Sequence, residues 1–182
     1  MKDLNNLYLE HEAKITSKVP SIKHIDLWYE QVSFLQDEQP FFAPAVFFAY
    51  RSNSMQDRGT RIQEVTMQVD VYFFYETFAD TSRGSRSQIK GLNFLNTLSQ
   101  INSCFHGSTG EYYSEMRRIG FAPVETGTAN LLYVQRYECV MIDDSARILS
   151  ETVVDPGINV INEAPVIPVN NNGDTFGDID IT

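Results

Sequence analysis

The stretch TRIQEVTMQVDVYFFYE, residues 60–76, alternates between apolar and polar side chains along most of its length. A period of two is typical of a β-strand with one face in the core, because successive side chains point to opposite faces. The predicted core face is Val65, Met67, Val69, Val71, Phe73 and Tyr75. The opposite face is Glu64, Thr66, Gln68, Asp70, Tyr72 and Phe74. The fold is therefore expected to be organised around a strand with two unequal faces.

The residues before this strand predict a helix, a short strand and the first strand of a hairpin. An amphipathic helix is expected over about 3–16, because apolar side chains recur there at helical spacing. After Pro20, a short strand is expected over 22–30. The run AVFFAYRS then predicts a strand, and NSMQDRGT a long hairpin loop, within 51–61. The stripe of the first helix is Leu4, Leu7, Tyr8, His11 and Ile15.

The residues after this strand predict one more helix and a pair of strands. Phe94, Leu98, Ile101 and Phe105 recur at spacings of four, three and four, which predicts a helix over about 85–103. The runs EYYSEMRRIGFAPVETG and ANLLYVQRYECVMID predict an antiparallel pair. This order of elements favours an α+β fold, an antiparallel sheet with helices packed on one face. The other face is expected to meet a partner or water.

The composition indicates one globular domain that does not bind nucleic acid tightly. A chain of 182 residues has the size of a single domain. It carries 14 Lys plus Arg against 24 Asp plus Glu, a net charge of −10, which argues against wrapping nucleic acid by phosphate neutralisation. No run of 18 apolar residues and no secretory signal pattern is seen, so a protein without a membrane association is expected.

The last 32 residues differ in character and predict a separate extended arm. Residues 151–182 hold six acidic side chains and no Lys or Arg, so residues 1–150 carry 14 − 18, a net charge of −4. We therefore predict a domain over 1–150 and an acidic arm, extended or disordered, over 151–182. The arm's many Val and Ile residues favour an extended segment that adds to a neighbour's surface, whereas plain disorder remains the alternative.

The residues that resemble catalytic motifs do not predict an enzyme. Ser87 and Lys90 match the spacing S-x-x-K at a helix start, but the companion motifs of serine acyl-enzymes are missing, which favours a helix cap and a solvated lysine. Cys104 and His106 stand two apart without a third orienting group, which favours a helix C-terminus. No catalytic residue, cofactor site or metal site is predicted.

Two further residue types have structural interpretations. Cys104 and Cys139 show no C-x-x-C spacing, which favours two buried thiols without a disulfide. His11 lies on the apolar stripe of the first helix without a second metal-binding residue at ligand spacing. We expect it to be a hydrogen-bonded, half-buried side chain.

The basic residues and the polar strand face suggest a surface for protein contacts. Arginine pairs with carboxylates through two parallel hydrogen bonds and is enriched at interfaces. Gln68, Asp70 and Tyr72 are too polar for a core and too weakly charged for an ordinary solvated surface, which favours a subunit contact or a channel wall. Scattered charges that serve solubility are the alternative. The predicted interface residues are Arg51, Arg58, Arg61, Gln68, Asp70, Tyr72, Arg117 and Arg118.

The order of these segments resembles a known family of virion proteins. The segments are IKHIDLWYEQV, PFFAPAVFFAY, VTMQVDVYFFYE, KGLNFLNTLSQI and LLYVQRYECVMID, within residues 20–145. Together they resemble the small neck and tail-completion proteins of tailed bacteriophages, above all tail terminators, including those of phages with Bacteroidetes hosts. The resemblance rests on the pattern of strands and helices, and the acidic arm lies outside it.

This resemblance implies a structural protein of the virion without an active site. Such proteins form a ring, a hexamer or a dodecamer, at the head-to-tail junction, contact neighbouring neck and tail-tube proteins, and surround a channel through which DNA passes without sequence-specific binding. The implied location is the tail or neck of the virion, and the host cytoplasm before assembly. The remaining alternatives are a non-enzymatic adaptor that docks a partner through its acidic tail, and an enzyme.

Overall fold

A computed structural model of the chain describes residues 2–34, 41–76, 80–125 and 130–147. It confirms the predicted α+β class: the two α-helices pack on one face of a mostly antiparallel sheet. The acidic segment 151–182 lies outside the described residues, so the arm and its boundary at 150 stay predictions. The elements are α1 (Lys2–Lys18), β1 (His24–Leu27), a 3₁₀ helix (Gln31–Phe34), β2 (Ala45–Gly59), β3 (Ile62–Tyr75), α2 (Gln88–Phe105), β4 (Arg117–Pro123) and β5 (Leu131–Asp143).

The five strands form one sheet in the order β1-β2-β3-β5-β4. β3, which contains most of the opening sequence stretch, lies in the centre and pairs with β2 on one side and β5 on the other. Only the first and shortest pairing, between β1 and β2, is parallel among the described strands. The sheet edges are therefore β4 on one side, and on the other side β1 together with the part of β2 beyond Phe48, which β1 does not reach.

The predicted core face of β3 is buried as expected. Val65, Met67, Val69, Val71 and Phe73 are all buried beneath the two helices, whereas Tyr75, the last residue of the predicted face, is only half-buried against them. The ring of Phe94 in α2 stacks on Phe73 with centroids 5.1 Å apart, and Tyr8 in α1 meets Phe48 of β2 edge to face at 6.0 Å. The alternation therefore identifies the helix-covered face correctly.

The opposite sheet face is partly covered, which corrects the expectation that it is open to a partner or water. A second apolar cluster of Val32, Ala45, Phe47, Phe74 and Leu132 covers the end of this face that is built from the start of β2, the end of β3 and the start of β5. Trp28 closes this cluster by stacking on Tyr72 with centroids 4.0 Å apart and planes 7° from parallel. The sequence missed this because 28–44 shows no simple periodicity.

The hairpin between β2 and β3 also differs from the prediction. The expected long loop within 51–61 is instead paired strand, because β2 runs to Gly59 and β3 begins at Ile62. Thr60 and Arg61 alone form the turn, and Arg61 adopts φ 66°. The polar residues of NSMQDRGT predict a loop, but the exposed strands of a hairpin are polar for the same reason that loops are: both face water.

Arg61→Gly should stabilise the hairpin slightly. A non-glycine residue at positive φ is held in a conformation that costs roughly 1 kcal/mol, and glycine avoids that cost. We expect the free energy of unfolding measured by urea to rise by about 0.5 kcal/mol once the larger backbone freedom of glycine in the unfolded chain is included. Arg61→Val is the matched control and should lower it, because a β-branched residue tolerates positive φ poorly. A stability loss in the glycine variant would contradict this assignment.

The C-terminal ends of the helices and the state of the two thiols agree closely with the predictions from the sequence, whereas the bounds of β1 do not. α1 and α2 each extend about two residues beyond the predicted C-terminus, whereas β1 occupies only His24–Leu27 of the predicted 22–30. Cys104 and Cys139 are free and buried, as predicted. No helix in the described part of the chain is long and apolar enough to cross a membrane.

His11 is more deeply buried than expected. Its side chain is fully enclosed among the rings of Phe48, Tyr50, Phe105 and Tyr113, with centroid distances from 5.2 to 5.9 Å. Its Nδ1 lies 3.1 Å from the hydroxyl of Tyr50, and its Nε2 has no hydrogen-bond partner among the described residues. The prediction of a half-buried imidazole is therefore wrong, because the ribbon and the 107–113 loop close over α1.

Candidate interaction surface

The predicted interface residues that the structure brings together lie on the sheet face opposite the helices, beyond the Trp28 cluster. They occupy two neighbouring rows across β2, β3, β5 and β4. The first row is Ala49, Asp70, Arg136 and Gly120, and the second is Arg51, Gln68, Glu138 and Arg117. We call these two rows, together with Arg58 and Glu64 further along the hairpin, the arginine face.

Asp70 is the buried carboxylate with which two arginines of the arginine face pair. Its side chain is 0% exposed, and its carboxylate accepts hydrogen bonds from the Arg51 guanidinium and from Nε2 of Gln68, the latter at 2.7 Å. Nε of Arg136 lies 4.0 Å from the same carboxylate. A buried carboxylate is tolerated only when it is paired in this way. The expectation that Asp70 is an accessible contact residue is therefore wrong: its partners lie within the chain.

Every ion pair on this face presents its arginine to solvent and its carboxylate inward. The exposed fractions of the arginine and carboxylate side chains are 55% and 0% for Arg51 and Asp70, and 54% and 28% for Arg58 and Glu64. They are 72% and 32% for Arg117 and Glu138, and 44% and 0% for Arg136 and Asp70. A guanidinium has five donors, so these arginines keep free donors directed outward. The surface therefore favours an acidic partner although the chain as a whole is acidic.

The other predicted interface residues are placed elsewhere. Tyr72 is held by its stack on Trp28. Its pKa is raised, and burial is the largest cause. Arg61 stands at the hairpin turn. Arg118 follows Arg117 on β4 but faces the helix side, where its guanidinium lies 5.2 Å from the ring centroid of Phe121. The arginine face thus includes Arg51, Arg58, Gln68, Asp70 and Arg117 of the predicted set.

An apolar surface beside β4 was not predicted from the sequence. The groove between α2 and β5 has a volume of about 270 Å³ and is lined by Leu92, Phe94, Leu95, Leu131 and Tyr133 among others. Ile119 and Phe121 of β4, and Ile89, Leu92 and Leu95 of α2, are each between 46% and 69% exposed. The spacing of Ile89, Leu92 and Leu95, outside the core stripe of α2, was the available signal. Apolar side chains that are exposed together often mark a contact surface.

The structure places the residues of the two weak catalytic motifs at the two ends of α2. The thiol of Cys104 donates to the carbonyl oxygen of Gln100 at 3.3 Å, whereas Nδ1 of His106 accepts from the amide of Arg118 at 3.1 Å, so the two side chains do not act on each other. Burial raises the pKa of the Cys104 thiol, which keeps it protonated and unreactive. Ser87 is the N-cap residue of α2 and is buried, without a side-chain capping bond, and Lys90 is exposed.

Within residues 2–34, 41–76, 80–125 and 130–147, no group of three or more His, Cys, Asp or Glu residues is placed to hold a metal ion. Comparison with known proteins adds no further assignment, since no protein-family model and no curated protein matches the chain.

Proposed function

We propose that this protein is a structural component of a tailed-phage virion that assembles with copies of itself into a ring at the neck or tail. A hexamer is the first expectation and a dodecamer the second. The ring joins the tail to the head connector and surrounds the channel through which DNA passes. The arginine face is the observation that carries this proposal, because it is a polar, arginine-rich surface on a five-stranded sheet.

The chemistry of the arginine face supports a contact between proteins. Interfaces are enriched in arginine, and a guanidinium held by an inner carboxylate is oriented before a partner arrives. Both sheet edges support this too, because β4 and the part of β2 beyond Phe48 have no strand partner on their outer sides within the described residues. A subunit with two unlike surfaces of this kind can close a ring by contacts of the head-to-tail type.

The resemblance of residues 20–145 to tail terminators supplies the specific assignment. The described order of helix, strand, hairpin, helix and strand pair is compatible with the segments that carry that resemblance. The net charge of −10 suits a conduit that does not retain DNA. A non-enzymatic adaptor remains the competing proposal, and oligomer size separates the two.

Arg117→Glu should weaken assembly of the full chain, and Arg118→Glu should not. The two residues are neighbours on β4 and point to opposite sheet faces, so they form a matched pair. We expect light scattering after size exclusion to show six or more copies for the parent, and the Arg117→Glu variant to need about tenfold more protein for the same mass. Raising the salt should weaken the parent ring, because exposed ion pairs are screened.

Three results would count against this function or against the role of the arginine face in it. A parent chain that stays monomeric at every concentration and salt would favour the adaptor. Equal assembly by both variants would remove the arginine face from the interface. Loss of assembly in the Arg118→Glu variant alone would move the contact to the helix side of β4. Circular dichroism on both variants excludes unfolding as the cause.

A further inference from the structure

β4 is an open edge with two different sides. Its outer edge has no strand partner within the described residues, because β4 ends the sheet order, although the amide of Arg118 already donates to Nδ1 of His106. On one side of the sheet it carries Arg117 of the arginine face, with Arg136 opposite Gly120 in the neighbouring row. On the other side it carries the exposed Phe121 and, two residues further on, Pro123, which pairs with Tyr133 of the apolar groove between α2 and β5. A strand added here would meet guanidinium groups on one face and apolar side chains on the other.

The last residues of the chain have the pattern that such a strand needs. The run FGDIDI, residues 176–181, alternates acidic and apolar side chains over Asp178, Ile179, Asp180 and Ile181. In an extended segment successive side chains point to opposite faces, so the two aspartates share one side and the two isoleucines the other. Strand addition of this kind takes its affinity from backbone hydrogen bonds and its specificity from alternate side chains.

We propose that residues 176–181 of a second copy of this chain add to the free edge of β4 as a sixth strand. Asp178 and Asp180 lie on the side of Arg117 and Arg136, where carboxylates pair with guanidinium groups. Ile179 and Ile181 lie on the side of Phe121 and the α2 groove. This inference rests on the proposed function, since it names the contact through which copies join.

The other open edge fits this segment less well. The outer edge of β2 beyond Phe48 is interrupted by two register shifts, between Ser52 and Ser54 and between Asp57 and Gly59, whereas β4 has one, between Arg118 and Gly120. Such bulges bend a strand and disturb pairing. Its strongly exposed apolar side chain is Met55, whereas β4 carries the exposed Ile119 and Phe121, and the exposed Leu92 and Leu95 line the groove between α2 and β5. Ile179 and Ile181 would therefore meet more exposed apolar surface at β4 than at β2.

The sharpest test exchanges two neighbouring residues in the full chain. Ile179→Asp combined with Asp180→Ile keeps composition and charge but destroys the alternation. We expect the amides of β4 in the parent to exchange at least tenfold more slowly at high protein concentration than at low concentration. In the variant with residues 179 and 180 exchanged, the β4 amides should not exchange more slowly at high concentration, and the oligomer should be lost as well. Asn159→Val combined with Val160→Asn is the matched control, and it should behave as the parent.

The outcomes separate this inference from the proposed function. If the exchanged variant assembles and protects β4 as the parent does, the inference is overturned and the ring stands. Protection of β4 that does not depend on concentration also overturns it, because a second copy is then not required.

If the parent is monomeric throughout, the ring proposal fails, and a synthetic peptide of residues 172–182 tests the edge directly. Saturable slowing of β4 exchange by that peptide, but not by one with residues 179 and 180 exchanged, supports the inference. Equal effects of both peptides overturn it.

Discussion

Asp70→Lys should destabilise the domain by at least about 4 kcal/mol. Asp70 is fully buried between the guanidinium groups of Arg51 and Arg136, and removing one partner from a buried pair already costs roughly 3–5 kcal/mol. A lysine here adds a third positive charge to the two that remain. Since small domains are stable by only about 5–15 kcal/mol, much of the variant should be unfolded at 37 °C. Urea unfolding followed by circular dichroism measures the loss.

Two milder variants test whether the stability loss in Asp70→Lys comes from the buried carboxylate. Asp70→Asn keeps the shape and part of the hydrogen bonding, so we expect a loss of about 1–3 kcal/mol. Gln68→Lys places a positive charge on the same strand face at a half-buried site that is less enclosed, and should cost less than Asp70→Lys. If Asp70→Lys melted within a few degrees of the parent, the carboxylate would not be buried under the two arginines in solution.

Acid should destabilise the domain through His11 between pH 6.5 and about 3. Burial, and to a smaller extent the charge of Lys14, lower the pKa of His11 from 6.5 to about 3. Within this window the unfolded chain binds a proton at this residue and the folded chain does not. Stability therefore falls as the pH falls, by about 1.4 kcal/mol per pH unit, and by about 4–5 kcal/mol over the window.

His11→Phe isolates this contribution. Phenylalanine keeps the ring contacts with Phe48, Phe105 and Tyr113 and does not titrate, so the stability of this variant should depend less steeply on pH by about 1 kcal/mol per unit below pH 6. The groups that face His11 are Tyr50 and Tyr113, with Lys14 and Glu10 on its own helix, and all of them stay in place. Equal slopes for the parent and the His11→Phe variant would contradict the assignment.

The sequence predicts the helix side of the fold well because one simple physical rule governs it. A side chain of β3 that faces the helices must be apolar, so the alternation from Val65 to Phe73 leads directly to the core. The same rule fails on the opposite face. Asp70 is polar and yet buried, because its charge is neutralised by arginines that are 19 and 66 positions away along the chain. Local patterning contains no information about such distant partners.

The candidate surface was predictable only in part. Arg51, Gln68 and Arg117 were predicted to share an interface, and the sheet register places them in one row. Arg136 was missed, although it lies opposite Asp70, because strand register across a sheet is fixed by pairing and not by spacing along the sequence. Arg118 was predicted for the interface together with Arg117, but it faces the helices and so lies outside the arginine face, because neighbouring residues of a strand point to opposite sides of the sheet.

The stack of Trp28 on Tyr72 gives this protein a built-in optical probe. Trp28 is the only tryptophan in the sequence, and it lies in the apolar cluster on the side of the sheet away from the helices. Its emission therefore reports the detachment of residues 28–34 and 41–44 from the sheet, whereas the far-ultraviolet dichroism reports the helices and strands as a whole. Heating curves from the two signals coincide only if both apolar clusters melt as one cooperative unit. An earlier transition in the fluorescence would reveal that the smaller cluster opens first and uncovers Phe47 and Phe74 while the helices remain packed.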